Sequence, residues 1–309
     1  MRISVAMAAY NGAEYIIEQL ESVRNQTRSV DEVIICDDQS KDNTVKVVED
    51  YLKQHNLEKD WHIFVNEKNL GYASNFIGAA DKTTGDIILF CDQDDIWVSD
   101  RVERFEKLMK EHEEILLVGS EFKPFTSSDD APSVPGWEMK QMRYDETLEK
   151  LAFAPENIPI GCQGCTMCMK RSFYTQTRPF WYTGWAHDEF VWKMALCLDG
   201  LYMYHSSTLK RRLHSNNVTM HKMRDNQKRI KFLEDLLTCH EATIRFAKSI
   251  SLSDEKMQLL EKNRKGTILR IGLLKDKKYW NAVKLLFGYR ECYHKLRAIP
   301  VEFYMALKH

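Results

Sequence analysis

Asp92, Asp94 and Asp95 put three carboxylates within four positions at the end of the apolar run Ile87-Ile88-Leu89-Phe90-Cys91, with Asp86 at its start. Such a run bounded by charge predicts a buried strand whose tip carries a site. Along an extended chain alternate residues face one way, so Asp92 and Asp94 send their oxygens to the same side. Without a cation between them they repel each other. Mg²⁺ or Mn²⁺ takes one or two protein carboxylates and leaves its other positions for water and substrate phosphates. A nucleoside diphosphate is the ligand this chemistry predicts.

The elements that must position these groups alternate in period. Strands are predicted at Ile3–Ala9, Glu32–Cys36, His62–Asn66 and Asp86–Cys91, and helices between them at Ala13–Asn25, Thr44–His55 and Ala73–Lys82. This rhythm specifies βαβ units and a mostly parallel sheet with helices on both faces. Ligands of such sheets bind beyond the carboxyl ends of the strands, where Tyr10-Asn11, Asp37-Asp38 and Asp92–Asp95 all fall. Further along come a helix Asp100–Glu113 capped by Ser99 and a strand Ile115–Phe122. An exposed insertion follows from Pro124 to Arg143, with Ser127-Ser128-Asp129-Asp130 and three prolines. A short helix at Glu146–Phe153, a glycine-rich entry Gly161–Gly164 into a cysteine-bearing strand, a helix Asp188–Leu198 and a strand Leu201–His205 complete the pattern. From Met223 the period turns helical, with Ile230, Leu233, Leu237, Ile244 and Ala247 on one face. Two more amphipathic segments follow, at about Glu255–Leu274 and Tyr279–Leu296. The division predicted is a domain at 1–220 and a helical region at 221–309.

The 309 residues, 44% hydrophobic and 29% charged, suit one large core with an appendage. The net charge of −1 hides an asymmetry: from Lys262 onward there are twelve Lys and Arg against three acids. That basic stretch, with Tyr279, Trp280, Phe287 and Tyr289 among its cations, predicts peripheral contact with an anionic membrane, a helical buttress or an oligomer contact being the alternatives. No run reaches the roughly 18 apolar residues of a membrane span. The chain enters a strand at once without a secretory leader, which predicts a cytoplasmic protein. Eight cysteines then read as free thiols. Cys162, Cys165 and Cys168 form a C-x₂-C-x₂-C run, but no fourth cysteine lies near for a metal cluster and Cys165-Thr166-Met167-Cys168-Met169 alternates as a strand does. No reading motif for nucleic acid accompanies the basic charge.

The motifs Val5-Ala6-Met7-Ala8-Ala9-Tyr10-Asn11-Gly12, Asp37-Asp38-Gln39-Ser40-Lys41-Asp42-Asn43-Thr44, Asn69-Leu70-Gly71, Asp92-Gln93-Asp94-Asp95-Ile96-Trp97, His187-Asp188 and Arg212-Leu213-His214-Ser215-Asn216-Asn217 stand in the order of family 2 glycosyltransferases. Over residues 1 to 220 the chain resembles their bacterial rhamnosyltransferase-like branch. The resemblance implies a GT-A fold, a Rossmann-like mixed sheet, that binds a nucleotide-sugar and transfers the sugar with inversion. It implies that Ala8, Tyr10 and Asp38 line the nucleotide, with Asn69, Gly71 and Asn75 shaping its pocket, and that Asp92 and Asp94 form the D-x-D metal motif with Mg²⁺ or Mn²⁺. Asp95 reads as a further ligand, a partner of a ligand or a helix cap. In the R-x-H-x-x-N pattern, His214 completes the metal shell and Arg212 grips phosphate, a structural histidine being the competing reading.

Asp188 is the expected general base, since an acceptor hydroxyl ionises far above neutrality and needs a carboxylate to take its proton as the new bond forms. A cap on the helix that follows is the structural alternative, and both roles are compatible. Gly164, Trp185 and His187 are expected on the acceptor side, with Trp181, Tyr182 and Trp185 as an apolar platform for a sugar face or as ordinary core. Two departures bear on the donor. Ala8-Ala9 replaces a common hydroxyl-bearing pair, and Gln39 stands where glycine is frequent, which changes the expected turn after Asp38. The donor expected is a dTDP- or UDP-linked sugar, with dTDP-rhamnose leading on resemblance, and the acceptor a hydroxyl of a lipid-linked glycan or polysaccharide in cell-surface glycan synthesis. The competing functions are a nucleotidyltransferase and an inactive nucleotide-sugar-binding module. A homo-oligomer is compatible with all three.

Overall fold

The computed structural model describes residues 1–127, 131, 133–214, 225–293 and 298–308. Ser128, Asp129, Asp130, Ser215, Asn216, Asn217, Met223 and Leu296, named above, lie outside the described residues. Two compact units form, one from the described residues of Met1–Leu151 and Gly161–Asn217, the other from those of Ala152–Ile160 and Val218–His309.

The first unit opens as β1 (Ile3–Ala9), α1 (Ile16–Arg24), β2 (Glu32–Asp37), α2 (Thr44–Gln54), β3 (Trp61–Val65), α3 (Tyr72–Lys82) and β4 (Ile87–Asp92). Every residue of β2 and the first five of β4 are buried, as expected of parallel strands covered on both faces. These four strands pair in parallel in the order β3-β2-β1-β4. The register sets Ala8 beside Asp92 and Ala9 beside Asp37, so the carboxyl ends of three strands finish level.

Beyond β4 come β5 (Ile96–Trp97), α4 (Arg101–Glu111), β6 (Leu117–Thr126), α5 (Gly136–Met139), β7 (Leu148–Lys150), β8 (Cys168–Lys170), α6 (Arg171–Thr177), α7 (His187–Cys197) and β9 (Leu201–Leu213). The sheet continues from β4 through β8, β6 and β9 to β5, with β7 also on β9. Strand β8 runs antiparallel to both β4 and β6, β6 and β9 are parallel, and β5 and β7 run antiparallel to β9. The sheet is thus mixed, with a parallel half that carries the polar strand ends.

Three expectations change here. The segment Glu146–Phe153, expected as a helix, holds strand β7, with Leu148 opposite Tyr204 and Lys150 opposite Tyr202. The left-handed backbone at Tyr144 (φ 50°) and Glu146 (φ 61°) turns the chain onto the exposed side of β9. An available sheet edge overrides a weak helical pattern. Strand β9 runs thirteen residues rather than five, because β6 supplies a partner as far as Thr126, with a bulge between Ser120 and Phe122. Gln39 leaves the turn after Asp38 left-handed at φ 66°. Its side-chain amide donates to the Asn66 carbonyl at 2.6 Å, offsetting the strain of a non-glycine residue there.

The second unit holds α8 (Asn226–Ser249), α9 (Asp254–Leu274), α10 (Trp280–Gly288) and α11 (Ala298–Lys308). Asp225 caps α8 by accepting from the Lys228 amide at 2.8 Å. Leu233, Leu273, Leu274 and Leu285 are fully buried in its core. A bidentate pair also lies inside: Arg270 donates to both oxygens of Glu302, at 3.0 and 2.6 Å, and Tyr293 donates to Glu302 at 3.0 Å. The single helix expected at Tyr279–Leu296 ends as an α-helix at Gly288, and a 3₁₀ turn follows at Arg290–Cys292.

Candidate active site

The crevice at the carboxyl ends of β1, β2 and β4 is assembled by side-chain clamps. Asp38, only 3% exposed, accepts from the Leu70 amide at 2.7 Å and the Asn66 side chain at 2.9 Å on Oδ1, and from the Gly71 amide at 2.8 Å on Oδ2. Its own carbonyl accepts from the Asn69 side chain at 2.9 Å. Asn75 is buried and donates to the Cys36 carbonyl at 2.7 Å while accepting from Asn66 at 2.9 Å. Asp38, Asn69, Gly71 and Asn75 are therefore one connected group, and Asp38 Oδ2 keeps one acceptor position open. Around it Tyr10, Leu70 and Tyr72 are 46%, 42% and 51% exposed, which gives the crevice apolar walls. Ala8 lies half-buried beside Asp92 in the β1–β4 register.

Gln93, the middle residue of Asp92-Gln93-Asp94, joins this wall to the carboxylates. Its Oε1 accepts from the Tyr10 amide and its Nε2 donates to the Tyr10 carbonyl, both at 2.9 Å. A Cβ at Gly12 would collide with that amide, so glycine there leaves the room that the Gln93 clamp occupies. Nothing in the residue types or spacing signalled Gln93.

The carboxylates themselves divide. Burial above all, then the charge of Asp94, raises Asp92 to about 7, with Arg211 pulling the other way. Asp95 is 2% exposed and its carboxyl also lies well above the ordinary range, chiefly through burial. Its Oδ1 accepts from the Arg212 amide at 3.0 Å, while its Oδ2 is buried without a hydrogen-bond partner among the described residues. Asp94 pairs with His214 Nε2 at 2.7 Å, and Arg212 Nε donates to the Asp94 carbonyl at 2.8 Å. The Arg212 guanidinium also contacts Glu18 and lies 4.6 Å from the rings of Tyr15 and Phe125. Arg212 is thus 6% exposed and fastened to the acidic loop. Neighbouring Arg211, on the other face of β9, acts electrostatically on Asp92, as the alternation of a strand allows.

These groups fit a hard divalent cation. Asp92, at the end of β4, and Asp95, with an unpartnered buried oxygen, supply the carboxylates; Asp94 stands in the turn beyond the strand and acts on Asp92 through its charge, and the raised carboxyls mark a place short of positive charge. Asp92, Asp95 and Cys165 bring ligand atoms within 4.8 Å of one another. Burial pushes the Cys165 thiol well up, and a hard cation takes carboxylate oxygen in preference to thiol sulfur. Cys165 arrives there through the antiparallel register in which Leu89 faces Cys168 and the Phe90 amide donates to the Met167 carbonyl at 3.3 Å.

The same turn sets Gly164 against Asp188: a Cβ at Gly164 would lie 3.1 Å from that of Asp188 and 2.5 Å from His187 Nε2. Asp188 stands in the first turn of α7, whose N-cap position is Ala186, so it is not the cap itself. Its Oδ1 accepts from the Glu189 amide at 2.8 Å. Burial raises it to about 6, the Glu189 and Gly164 amides holding it lower than burial alone would. Its charge in turn raises Asp92, which makes the two carboxylates neighbours in one crevice.

Two acceptor-side expectations are corrected by burial. Trp185 is fully buried, packed 5.4 Å from Tyr182 and 5.3 Å from Phe190, and cannot offer a face to a sugar. His187 is 4% exposed, stacked 3.9 Å from Phe76, and its burial lowers it to about 3, so it is a neutral packing residue. Gly164 is buried as well and serves the site through its close approach to Asp188.

The family model described as glycosyl transferase family 2 matches residues 4–176. An uncharacterized glycosyltransferase of Haemophilus influenzae is 26% identical over 241 residues, 74% of this chain and 72% of its own length. The UDP-Glc:alpha-D-GlcNAc-diphosphoundecaprenol beta-1,3-glucosyltransferase WfgD of Escherichia coli is 31% identical over 119 residues, 38% of this chain and 45% of that protein. A Nostoc relative, alr2836, is matched over only 33% of its length. Among solved structures, Staphylococcus aureus TarS 1–349 in complex with UDP-GlcNAc superposes with a TM-score of 0.65 at 16% identity, covering 99% of this chain and 90% of that one. The fold is therefore GT-A-like.

Proposed function

Because the chain belongs to glycosyl transferase family 2, we propose that it is an inverting, metal-dependent glycosyltransferase that moves a sugar from a nucleotide-sugar to a hydroxyl of a lipid-linked glycan at a membrane surface. The observation that carries this reading is the neighbourhood of Asp188 and Asp92 in one crevice, with Asp188 raised to about 6. A base with that value is ionised at neutral pH and still basic enough to take a proton in the transition state. Asp188 accepts the proton of the acceptor hydroxyl while the hydroxyl oxygen bonds to the anomeric carbon and the bond from that carbon to the diphosphate oxygen breaks. One base and one displacement give inversion. A divalent cation held by Asp92 and Asp94, with His214 on Asp94, would neutralise charge developing on the departing diphosphate. Tyr10, Leu70 and Tyr72 would hold the base around the open Oδ2 of Asp38, and Arg212 would keep the acidic loop in place.

The nucleoside diphosphate is supported by WfgD, named for UDP-Glc, and by the TarS complex with UDP-GlcNAc, and the lipid-linked acceptor by the diphosphoundecaprenol in the name of WfgD. A mannosyltransferase of Pyrobaculum calidifontis with the same fold, described with GDP-Man and Mn²⁺, supports a divalent cation (TM-score 0.57, 16% identity). Rhamnose as the sugar rests on the motif resemblance alone. A donor panel of dTDP-rhamnose and UDP-sugars with Mg²⁺ or Mn²⁺, read as release of nucleoside diphosphate, tests the proposal. Pyrophosphate in place of nucleoside diphosphate would assign a nucleotidyltransferase instead, and no turnover of any donor would leave a binding module.

A further inference from the structure

Ten of the nineteen large hydrophobic side chains exposed among the described residues lie between Ile268 and Leu307, a stretch whose sequence holds eight Lys and Arg against three acids although the whole chain carries a net charge of −1. The concentration is ordered by helix geometry. On α10, Trp280 (80% exposed), Val283, Lys284 and Phe287 (81% exposed) recur at intervals of three and four and share one face, while Asn281 and Leu285 on the other side are buried. On α11, Val301, Tyr304 and Leu307 are exposed while Glu302 and Ala306 are buried. The two helices touch through Tyr279 and Phe303, whose rings lie 6.4 Å apart. Between α9 and α10 runs an open cleft of about 620 Å³, lined by Ile268, Leu269, Val283 and Phe287 with Lys265 and Lys284 at its sides.

A folded chain gains nothing by leaving this much aromatic surface in water, which marks a surface made for a partner. The charges identify that partner. Lys262, Arg264, Lys275 and Lys278 are matched by Glu291, Glu261, Glu234 and Asp276. Lys265, Lys284, Arg290 and Lys308 have no acidic partner among the described residues, so the apolar faces are rimmed by uncompensated positive charge. No described helix is long and apolar enough to cross a bilayer. Aromatic side chains that insert to the depth of the headgroups, beside lysines that meet lipid phosphate, are the composition of an interfacial helix.

We propose that α10 and α11 form the bilayer-contacting surface of this protein. Trp280 and Phe287 enter an anionic leaflet, Lys265 and Lys284 pair with lipid phosphates, and the α9–α10 cleft receives an acyl chain. This deepens the membrane part of the reading above and involves no residue of the crevice, so the two fail separately: one is read by vesicle binding without substrate, the other by nucleoside diphosphate release.

The test is flotation of the full chain with vesicles of phosphatidylcholine alone or with about one-third phosphatidylglycerol. The double substitution Trp280→Ser/Phe287→Ser and the charge substitution Lys265→Gln/Lys284→Gln are compared with the natural chain. All four side chains lie at the surface or at the cleft's sides, and circular dichroism with size-exclusion chromatography checks folding. The expected result is binding to the anionic vesicles only, weakened on the order of tenfold or more by the aromatic double substitution. Added salt and the charge substitution also weaken it, since the lysines meet the headgroups in water. Equal flotation of natural and aromatic-substituted chains would overturn the proposal, as would an absence of flotation. So would an oligomer that the aromatic substitutions dissolve while lipid binding stays unchanged, since the face would then cover a second copy of the chain.

Discussion

Asp188→Asn separates the role of base from a structural one, because it removes a charge that burial disfavours while keeping an oxygen that accepts from the Glu189 amide. Burial raises the Asp188 carboxyl from 3.8 to about 6. An acid whose folded value lies above its unfolded one contributes stability that is fully present below the unfolded value and is lost as pH rises through about 6. At pH 7 the ionised carboxylate therefore costs the fold up to about 3 kcal/mol, taking about 1.4 kcal/mol for each pH unit between the two values. Asparagine removes that charge and retains an oxygen for the Glu189 amide, which now donates to Oδ1 at 2.8 Å. The variant should be at least as stable as the natural chain at pH 7, with Tm raised by up to several degrees. Release of nucleoside diphosphate should fall by roughly 10² to 10⁴. For the natural chain kcat/KM should drop about tenfold per pH unit below pH 6, as a single ionised base requires, and Asp188→Asn should lack that limb. The assays are differential scanning calorimetry and steady-state turnover on the same preparation. Turnover within a factor of a few of the natural chain would refute the assignment. A fall in Tm with loss of activity would return Asp188 to a structural role.

Gln93→Ala removes two hydrogen bonds worth about 1 kcal/mol each from an exposed loop whose backbone water can resolvate, so Tm should change little. KM for the nucleotide-sugar should rise several-fold with kcat nearly constant, and an unchanged KM would show that the clamp on Tyr10 is irrelevant to donor binding. Asp92→Asn should abolish Mn²⁺ binding, read by isothermal titration calorimetry, without lowering stability at pH 8, since the carboxylate it replaces is disfavoured in the fold. Glu302→Ala leaves the buried Arg270 without its bidentate partner and should cost about 3–5 kcal/mol in denaturant unfolding. A loss below about 1 kcal/mol would mean that water reaches the guanidinium.

The crevice was legible where local physics and position coincide. The buried run before Asp92 makes a strand whatever follows it, and charge placed after such a run must lie at its end. Asp38, Asn69, Gly71 and Asn75 were assigned to one pocket, and the hydrogen bonds joining them through Asp38 and Asn66 give that grouping its structure. The acceptor side was legible only in part. Trp185 and His187 lie within three residues of Asp188, but Trp185 precedes α7 and successive residues of α7 turn by about 100°, so neighbours of a half-buried carboxylate can lie in the core. Gln93 is not legible in the sequence, because an amide between two carboxylates has no periodic or charge signature and its partner Tyr10 lies 83 residues away.

The sequence by itself determined the alternating strands and helices of the first 92 residues, the acidic strand tip and the helical character of the last third. Those depend on side-chain periodicity and on energies set within a few turns of chain. Only the tertiary structure decided that Glu146–Phe153 holds a strand, that β9 runs to Leu213 and that residues 152–160 belong with the C-terminal helices. It also decided which carboxylates are raised by burial. Strand pairing and desolvation are set by partners distant in sequence, and a segment with weak local preference takes whichever edge or core the fold offers it.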